Sequence, residues 1–298
     1  MKKKFLALLL IVTLIAGFQS FTALAKNHES QKEPSHPIAI QGALDIEISA
    51  LLNAMGKYKT KKIGMYTYYT GKIDKIPVVV SRTEMGMVNA AASTTLLIQN
   101  FKPKAIINQG TAGGADPKLH VYDIVVGDDS INYLNTMTTP RELGEGSEPE
   151  EWNMLPTDMR NDNDELVKYE SFQSTPELVD VAMSVANLYK HGDVTQGPIG
   201  SGDQFNLEID RILWTNRVLH MKAEDMETAS VSQVATAFKV PFLGVRGISD
   251  ASLHGEHWTT ETGNNTGKWT AEYVIDIVKE MDKKVDFKSL SEDLKSAS

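Results

Sequence analysis

Residues 87–114, MVNAAASTTLLIQNFKPKAIINQGTAGG, carry the pattern on which the fold is read. Met87 to Phe101 is rich in Ala and Leu at helical spacing, and Lys102-Pro103 ends the run, because proline cannot continue a helix. Ala105 to Gly110 (AIINQG) then reads as a strand. The same alternation extends in both directions. Residues 38–44 (IAIQGAL) predict a buried strand that feeds a helix over 45–55. Residues 62–70 and 76–83 predict a hairpin turning at 71–75, and Val121 to Gly127 a further strand. Helices are expected at about 175–189, 227–238 and 268–283, and strands near 193–201, 218–224 and 241–248. Alternating strands and helices give the α/β class, with one mixed or parallel sheet covered on both faces. No internal repeat is found.

Composition narrows the functional classes. Of 298 residues, 39 are acidic and 30 basic, a formal charge of −9. Such a surface argues against binding nucleic acid or anionic lipid through bulk electrostatics. With 41% apolar residues, 21 Gly and 11 Pro, the chain is globular rather than disordered or collagenous. It has no Cys, so disulfides and thiolate chemistry are excluded and the core alone must stabilise it.

The ends read differently from the middle. Lys2, Lys3 and Lys4 precede an apolar run from Phe5 to Phe18, and Ala23-Leu24-Ala25 supplies a small-x-small cleavage pattern. Residues 1–25 are therefore expected to be a signal peptide cut after Ala25, which implies a secreted or periplasmic protein with no membrane attachment after cleavage. The run is short of the roughly 20 residues a membrane span needs, and no Cys marks a lipoprotein junction. Residues 26–36 read as a flexible leader, 37–287 as the folded domain, and 288–298 as a frayed tail. Within the domain, 133–170 is acidic, rich in Pro and Gly and without periodicity, and is expected to be a functional loop or a solvated surface excursion. Its acids lack the glycine and terminal Glu of a calcium loop.

Five motifs place polar or Gly-rich residues at strand ends, where open α/β sheets bind ligands. Glu47 lies in Gly42-Ala43-Leu44-Asp45-Ile46-Glu47, either as a site residue or as a helix-dipole partner. The glycines of Asn108 to Gly114 allow close backbone approach to a ligand, or simply a tight turn. That segment is neither a Walker loop nor a dinucleotide fingerprint. Gly200 to Phe205 offers an aromatic ring for stacking or for the core; Asp225-Met226-Glu227 opens a helix. Val245 to Asp250 ends an apolar strand in Arg246, Ser249 and Asp250, groups that need partners or a ligand when buried. The seven His contain no His-x-x-x-His pair, so no metal site is expected, and His254-Gly255-Glu256-His257 reads as a pocket-rim or surface feature.

In their order, QGALDIEISALL (41–52), TEMGMVNAAASTTLLI (83–98), KPKAIINQGTAGG (102–114), SGDQF (201–205), DMETASVSQVA (225–235) and VPFLGVRGISD (240–250) resemble the 5′-methylthioadenosine/S-adenosylhomocysteine nucleosidases, within the wider nucleoside phosphorylase family. The resemblance implies a three-layer α/β/α nucleoside phosphorylase/hydrolase fold with a central mixed sheet. It also implies a purine nucleoside substrate, no cofactor and a homodimer. Carried over residue by residue, it makes Asp250 the acid that protonates the purine at N7, with Ser249 orienting it. Glu47 becomes the base that activates water, while Arg246 and Thr83 hold that water. Glu227 binds the ribose hydroxyls, Met226 packs beneath the ribose, Phe205 stacks on the base and Asn206 contacts it through backbone groups. Leu44 stands near the ribose where Met is common, and Asp225 where Glu is frequent.

Hydrolase and phosphorylase share this fold and differ in whether water or phosphate attacks. A phosphorylase needs cations around its oxyanion. The position before the Gly-rich turn carries Asn108-Gln109 rather than Arg, which leaves Arg82 as the ambiguous cation. Hydrolysis is therefore expected. The alternatives are a purine nucleoside phosphorylase and a non-catalytic secreted storage or nucleoside-binding protein. The acidic insertion and the signal peptide are similar to those of secreted relatives of the latter kind.

Overall fold

A computed structural model of the chain describes residues 36–296, so the expected signal peptide and all of the leader except His36 lie outside the described residues. In chain order the first half comprises β1 (Ile38–Gly42), α1 (Asp45–Met55), β2 (Tyr58–Ile63), β3 (Tyr66–Ile73), β4 (Ile76–Arg82), α2 (Met87–Phe101), β5 (Ala105–Gly114) and β6 (Ile124–Asn132). Short strands β7 (Thr136–Met137), β8 (Asn153–Met154), β9 (Thr157–Arg160), β10 (Leu166–Tyr169) and β11 (Phe172–Gln173) follow. The remainder is α3 (Pro176–Ser184), β12 (Val194–Ser201), α4 (Ile209–Leu219), β13 (Ala223–Asp225), α5 (Thr228–Ala237), β14 (Phe242–Asp250), α6 (Thr260–Lys284) and α7 (Phe287–Ser296).

Period-two alternation in the central strands creates the three layers. Ile38, Ile40, Val78, Val80 and Ile107 face one side, where they pack with Ile48 and Leu51 of α1, Leu178 of α3 and Val274 and Ile277 of α6. Their neighbours Ala39, Val79 and Ile106 face the other, against Ala90 and Leu97 of α2 and Val231 and Ala235 of α5. Both faces are apolar because both are covered.

The main sheet is mixed. Its order is β11-β6-β12-β13-β5-β1-β4-β3-β2, and β14 pairs with both β5 and β6. Strands β6, β12, β13, β5 and β14 thus form a closed circuit within the larger sheet. β1 runs parallel to β4 and β5, and β14 parallel to β5. The short β13 runs antiparallel to β5, pairing Glu224 with Gly113. β13 shares its direction with β12 and β6, and its pairing with β5 brings Glu224 beside the end of β14.

Several boundaries differ from expectation. The predicted hairpin is a three-stranded meander whose turn shrinks around Asp74, at φ 54°. The extra strand β2 (YKTKKI) is exposed and carries Lys59, Lys61 and Lys62, as an edge strand that must resist further pairing does. The strand expected over 218–224 is shorter: α4 runs to Leu219 and ends on His220 in the left-handed region (φ 57°), and the strand spans Ala223–Asp225. α6 starts earlier than expected, at Thr260, because the Thr259 hydroxyl caps it by accepting from the Thr262 N–H. The tail is helix α7 rather than frayed, anchored by buried Leu290. The 133–170 segment has order of its own, with β7 pairing β8 and β9 pairing β10. Arg211 of α4 donates to the Pro149 carbonyl (3.0 Å), tying that excursion to the domain.

Candidate active site

The ends of β1, β5, β13 and β14 and the first turn of α1 surround a cavity of about 330 Å³. Five carboxylic acids reach its wall: Glu47, Glu224, Asp225, Glu227 and Asp250. Among the described residues neither Lys nor Arg lines it.

Glu47 is held from two sides. Its Oε2 accepts from the N–H groups of Ala43 (2.7 Å) and Leu44 (3.0 Å), the orphan donors at the start of α1. Its Oε1 accepts from the Thr111 N–H (2.8 Å) and hydroxyl (3.1 Å) on β5. Gly110 makes this possible, since a Cβ there would sit 2.6 Å from Glu47 Oε1. The Gly-rich segment is therefore not a tight turn: β5 runs through it to Gly114, and Gly110 and Gly113 make room for Glu47 and Asp250. A Gly110→Ala variant is expected to fold but to lose roughly 10²-fold in kcat/KM, since small misplacements of a reacting group cost that much. Steady-state kinetics beside a thermal melt checks this; unchanged kinetics would show that Glu47 need not stay where it is.

Asp250 is placed by a bulge. The β14–β5 register pairs Ile248 with Ala112 and then skips to pair Asp250 with Gly113. The extra residue re-aims the side chain at the end of the strand. Burial raises the Asp250 pKa above the ordinary carboxyl range, opposed by the Ser249 hydroxyl, which donates to Oδ1 (3.0 Å), and by His257 nearby. Glu227 lies at the start of α5, and its Oε1 accepts from the Gly86 N–H (3.0 Å). Burial, with the Asp225 charge beside it, pushes Glu227 up to about 8, against the pull of Arg246.

Beneath this wall lies a fully buried ion pair. Arg246 is 1% exposed; its Nε donates to Asp225 Oδ2 (2.5 Å) and its Nη2 to Asn108 Oδ1 (2.5 Å), with Glu227 Oε2 at 3.8 Å. The Ser201 and Thr228 hydroxyls also donate to Asp225. A buried pair satisfied this fully fixes geometry more than it adds stability, and here it fixes the base of α5 and hence Glu227.

A model of the phosphorylase superfamily matches residues 37–281. The chain belongs to the phosphorylase superfamily. Among relatives, the 5′-methylthioadenosine/S-adenosylhomocysteine nucleosidase of Tolumonas auensis is 31% identical over 214 residues, 72% of this chain and 85% of the relative. The enzyme of the same name from Desulfotalea psychrophila is 29% identical over 249 residues, 82% and 97% of the two chains. The Neisseria meningitidis nucleosidase of that name, solved with methylthio-immucillin-A, superposes with TM-score 0.66 at 26% identity, over 82% of this chain and 99% of that one.

Within this superfamily fold the structure gathers most of the expected site. Leu44, Glu47, Phe205, Asn206, Met226, Glu227, Ser249 and Asp250 all line the cavity. Phe205 sits at the rim, 63% exposed. Two expected water-holding residues stand apart. Arg246 spends its donors on the buried pair, and the Thr83 hydroxyl lies by the carbonyls of Glu84 (3.1 Å) and Gly42 (3.4 Å), away from the lining. The hydroxyl that faces Glu47 is that of Thr111, within the 102–114 motif, where no sequence signal separates it from Thr83. Glu224 and Trp258 were also missed, having no motif to mark them. His254 stacks on His120 and Glu256 pairs with His120 (3.0 Å), while His257 stands close enough to Asp250 to act on its charge. Among the described residues no group of three or more His, Cys, Asp or Glu is arranged to hold a metal ion.

Proposed function

We propose that the chain hydrolyses the N-glycosidic bond of an adenine nucleoside such as 5′-methylthioadenosine or S-adenosylhomocysteine, releasing adenine and the free thioribose sugar. The observation that carries this is a cavity lined by five acids and, among the described residues, by neither Lys nor Arg. Breaking the bond between C1′ and N9 leaves positive charge on the sugar and negative charge on the base. Asp250, whose pKa burial raises, donates a proton to N7 so that the base departs neutral. Glu227 answers the sugar cation; the growing charge favours its ionised form, so this interaction is stronger in the transition state than before it. Water then adds to C1′ as Glu47 takes its proton. The Thr111 hydroxyl is the one donor on Glu47 free to rotate, so Oε1 is where that water enters.

The same wall disfavours phosphate, to which it presents acids and, among the described residues, neither Lys nor Arg. Arg82, the one ambiguous cation, is paired with Asp45 (2.8 Å) and Glu84 (2.9 Å) and does not line the cavity. Incubating the purified protein with methylthioadenosine, S-adenosylhomocysteine, adenosine and inosine, with and without phosphate, tests the reading. A free sugar is expected in every productive case. A sugar 1-phosphate would establish phosphorolysis, and binding without turnover would favour a storage or carrier role.

Two further proposals rest on this reading. A second copy of the chain is the partner that covers the cavity mouth, because Met85 and Phe205, which line the cavity, are exposed and have exposed Val88, Leu207 and Ile209 close to them in sequence. Sedimentation should then give a dimer at micromolar concentration, and a monomer there would refute it. Export follows from residues 1–25, and a product beginning at Lys26 outside the cytoplasm is expected; an intact N-terminus on cytoplasmic protein would refute it.

A further inference from the structure

Glu224 has no part in the bond-breaking chemistry above, yet it is buried at the wall of the same cavity. Antiparallel pairing sets it opposite Gly113 on one side, and the β14 register sets Asp250 opposite Gly113 on the other. The two acids therefore flank one glycine, whose missing side chain would have come within 3.2 Å of Asp250 Oδ2. Glu224 is fixed from behind. The Tyr133 hydroxyl donates to Oε1 and the Asn206 amide donates to Oε2 (3.2 Å), with Arg211 of α4 near enough to act on its charge. Each oxygen keeps a second lone pair beyond these bonds.

A purine presents N7 beside its position-6 substituent on one edge. In adenine the pair is an acceptor and a donor, N7 and the N6 amine; in a 6-oxopurine it is two acceptors, N7 and O6. Asp250 supplies a donor for N7. An adjacent acid held by two donors supplies an acceptor.

We propose that Glu224 selects a 6-aminopurine over a 6-oxopurine by accepting a hydrogen bond from the exocyclic amine while Asp250 donates to N7. The proposal rests on the nucleosidase reading and names the group that sets its base specificity. Tyr133 and Asn206 act through Glu224 as positioning residues. A 6-oxopurine would press O6 against the Glu224 oxygens, two acceptors with no proton between them. The selection belongs to the anion, which Tyr133, Asn206 and Arg211 favour and burial opposes; a neutral carboxyl could donate to O6 and would accept both bases.

The test compares methylthioadenosine with methylthioinosine for the natural protein, Glu224→Leu and Glu224→Gln. The natural protein should prefer the amine by kcat/KM. Glu224→Leu should lower that preference about 10- to 100-fold, the worth of a hydrogen bond to a charged group, with the loss falling on the adenine substrate. Glu224→Gln, whose amide can donate to O6, should narrow it by raising activity on the 6-oxo substrate, which a merely structural residue would not do. Circular dichroism and melting establish folding; if the Leu variant fails to fold, the Gln variant decides. A preference within twofold of the natural protein in a folded variant, or a natural preference for the 6-oxo substrate, would overturn the proposal. Calorimetry with free adenine and hypoxanthine separates it from the hydrolytic reading. A Glu224-dependent preference for adenine without turnover would keep the proposal and overturn hydrolysis, whereas turnover without that preference would do the reverse.

Discussion

Asp250→Asn is expected to lower turnover of purine nucleosides by about 10²–10⁴-fold or more, the range general acid catalysis supplies. The substitution keeps size and hydrogen-bonding capacity but removes the proton that N7 must receive. Without it the base would leave as an anion, facing the other acids of the wall. Binding should survive better than turnover, because the amide still donates to N7 while Phe205 and Glu227 are untouched. The pH profile gives an independent check. Burial raises the Asp250 pKa, so the protonated, working form persists above the ordinary carboxyl range and is lost as pH rises through the raised value. The alkaline fall in kcat/KM belonging to this group should be missing in the variant. Near-natural turnover on every nucleoside tested would mean that Asp250 is not the acid.

How much of this is legible in the sequence depends on the range of the signal. β1, α1, α2 and β14 announce themselves through local apolar runs and stops, and they carry Glu47, Arg246, Ser249 and Asp250. β2 is silent because an exposed edge strand of Lys and Thr has no apolar pattern to read. The end of α4 reads as part of a strand because Val218, Leu219 and Met221 form a short apolar patch, and such patches do not distinguish the two structures. The subtler failure is between Thr83 and Thr111. Both are hydroxyls at strand ends inside motifs, and only the sheet, which brings β5 to the start of α1, decides that Thr111 meets Glu47. Glu224 and Tyr133 depend on more still. Glu224 reaches the cavity because β13 pairs antiparallel with β5, and Tyr133 reaches Glu224 from the head of a segment that reads as a functional loop or a surface excursion.

Glu47→Gln is expected to abolish measurable hydrolysis by a different route. Glu47 accepts four hydrogen bonds, three of them from backbone N–H groups that cannot turn away. A glutamine must place its NH₂ either against the Ala43 and Leu44 donors or against Thr111. Each choice sets donor against donor, so the side chain loses its position as well as its basicity. Against Ala43 and Leu44 the conflict is with two fixed groups; against Thr111 it is with one N–H and a hydroxyl able to reverse its role, so the amide nitrogen should lie on the Thr111 side. That is the oxygen at which the attacking water enters, and an amide nitrogen there cannot take its proton. Losing a base costs roughly 10²–10⁴-fold, and the displaced geometry adds to this. Unlike Asp250→Asn, the variant retains the acid, so it can still protonate the base. A nucleophile that needs no base, such as azide, should therefore restore some base release in Glu47→Gln and none in Asp250→Asn. Rescue of both variants, or of Asp250→Asn alone, would reverse or dissolve the assignment of acid and base.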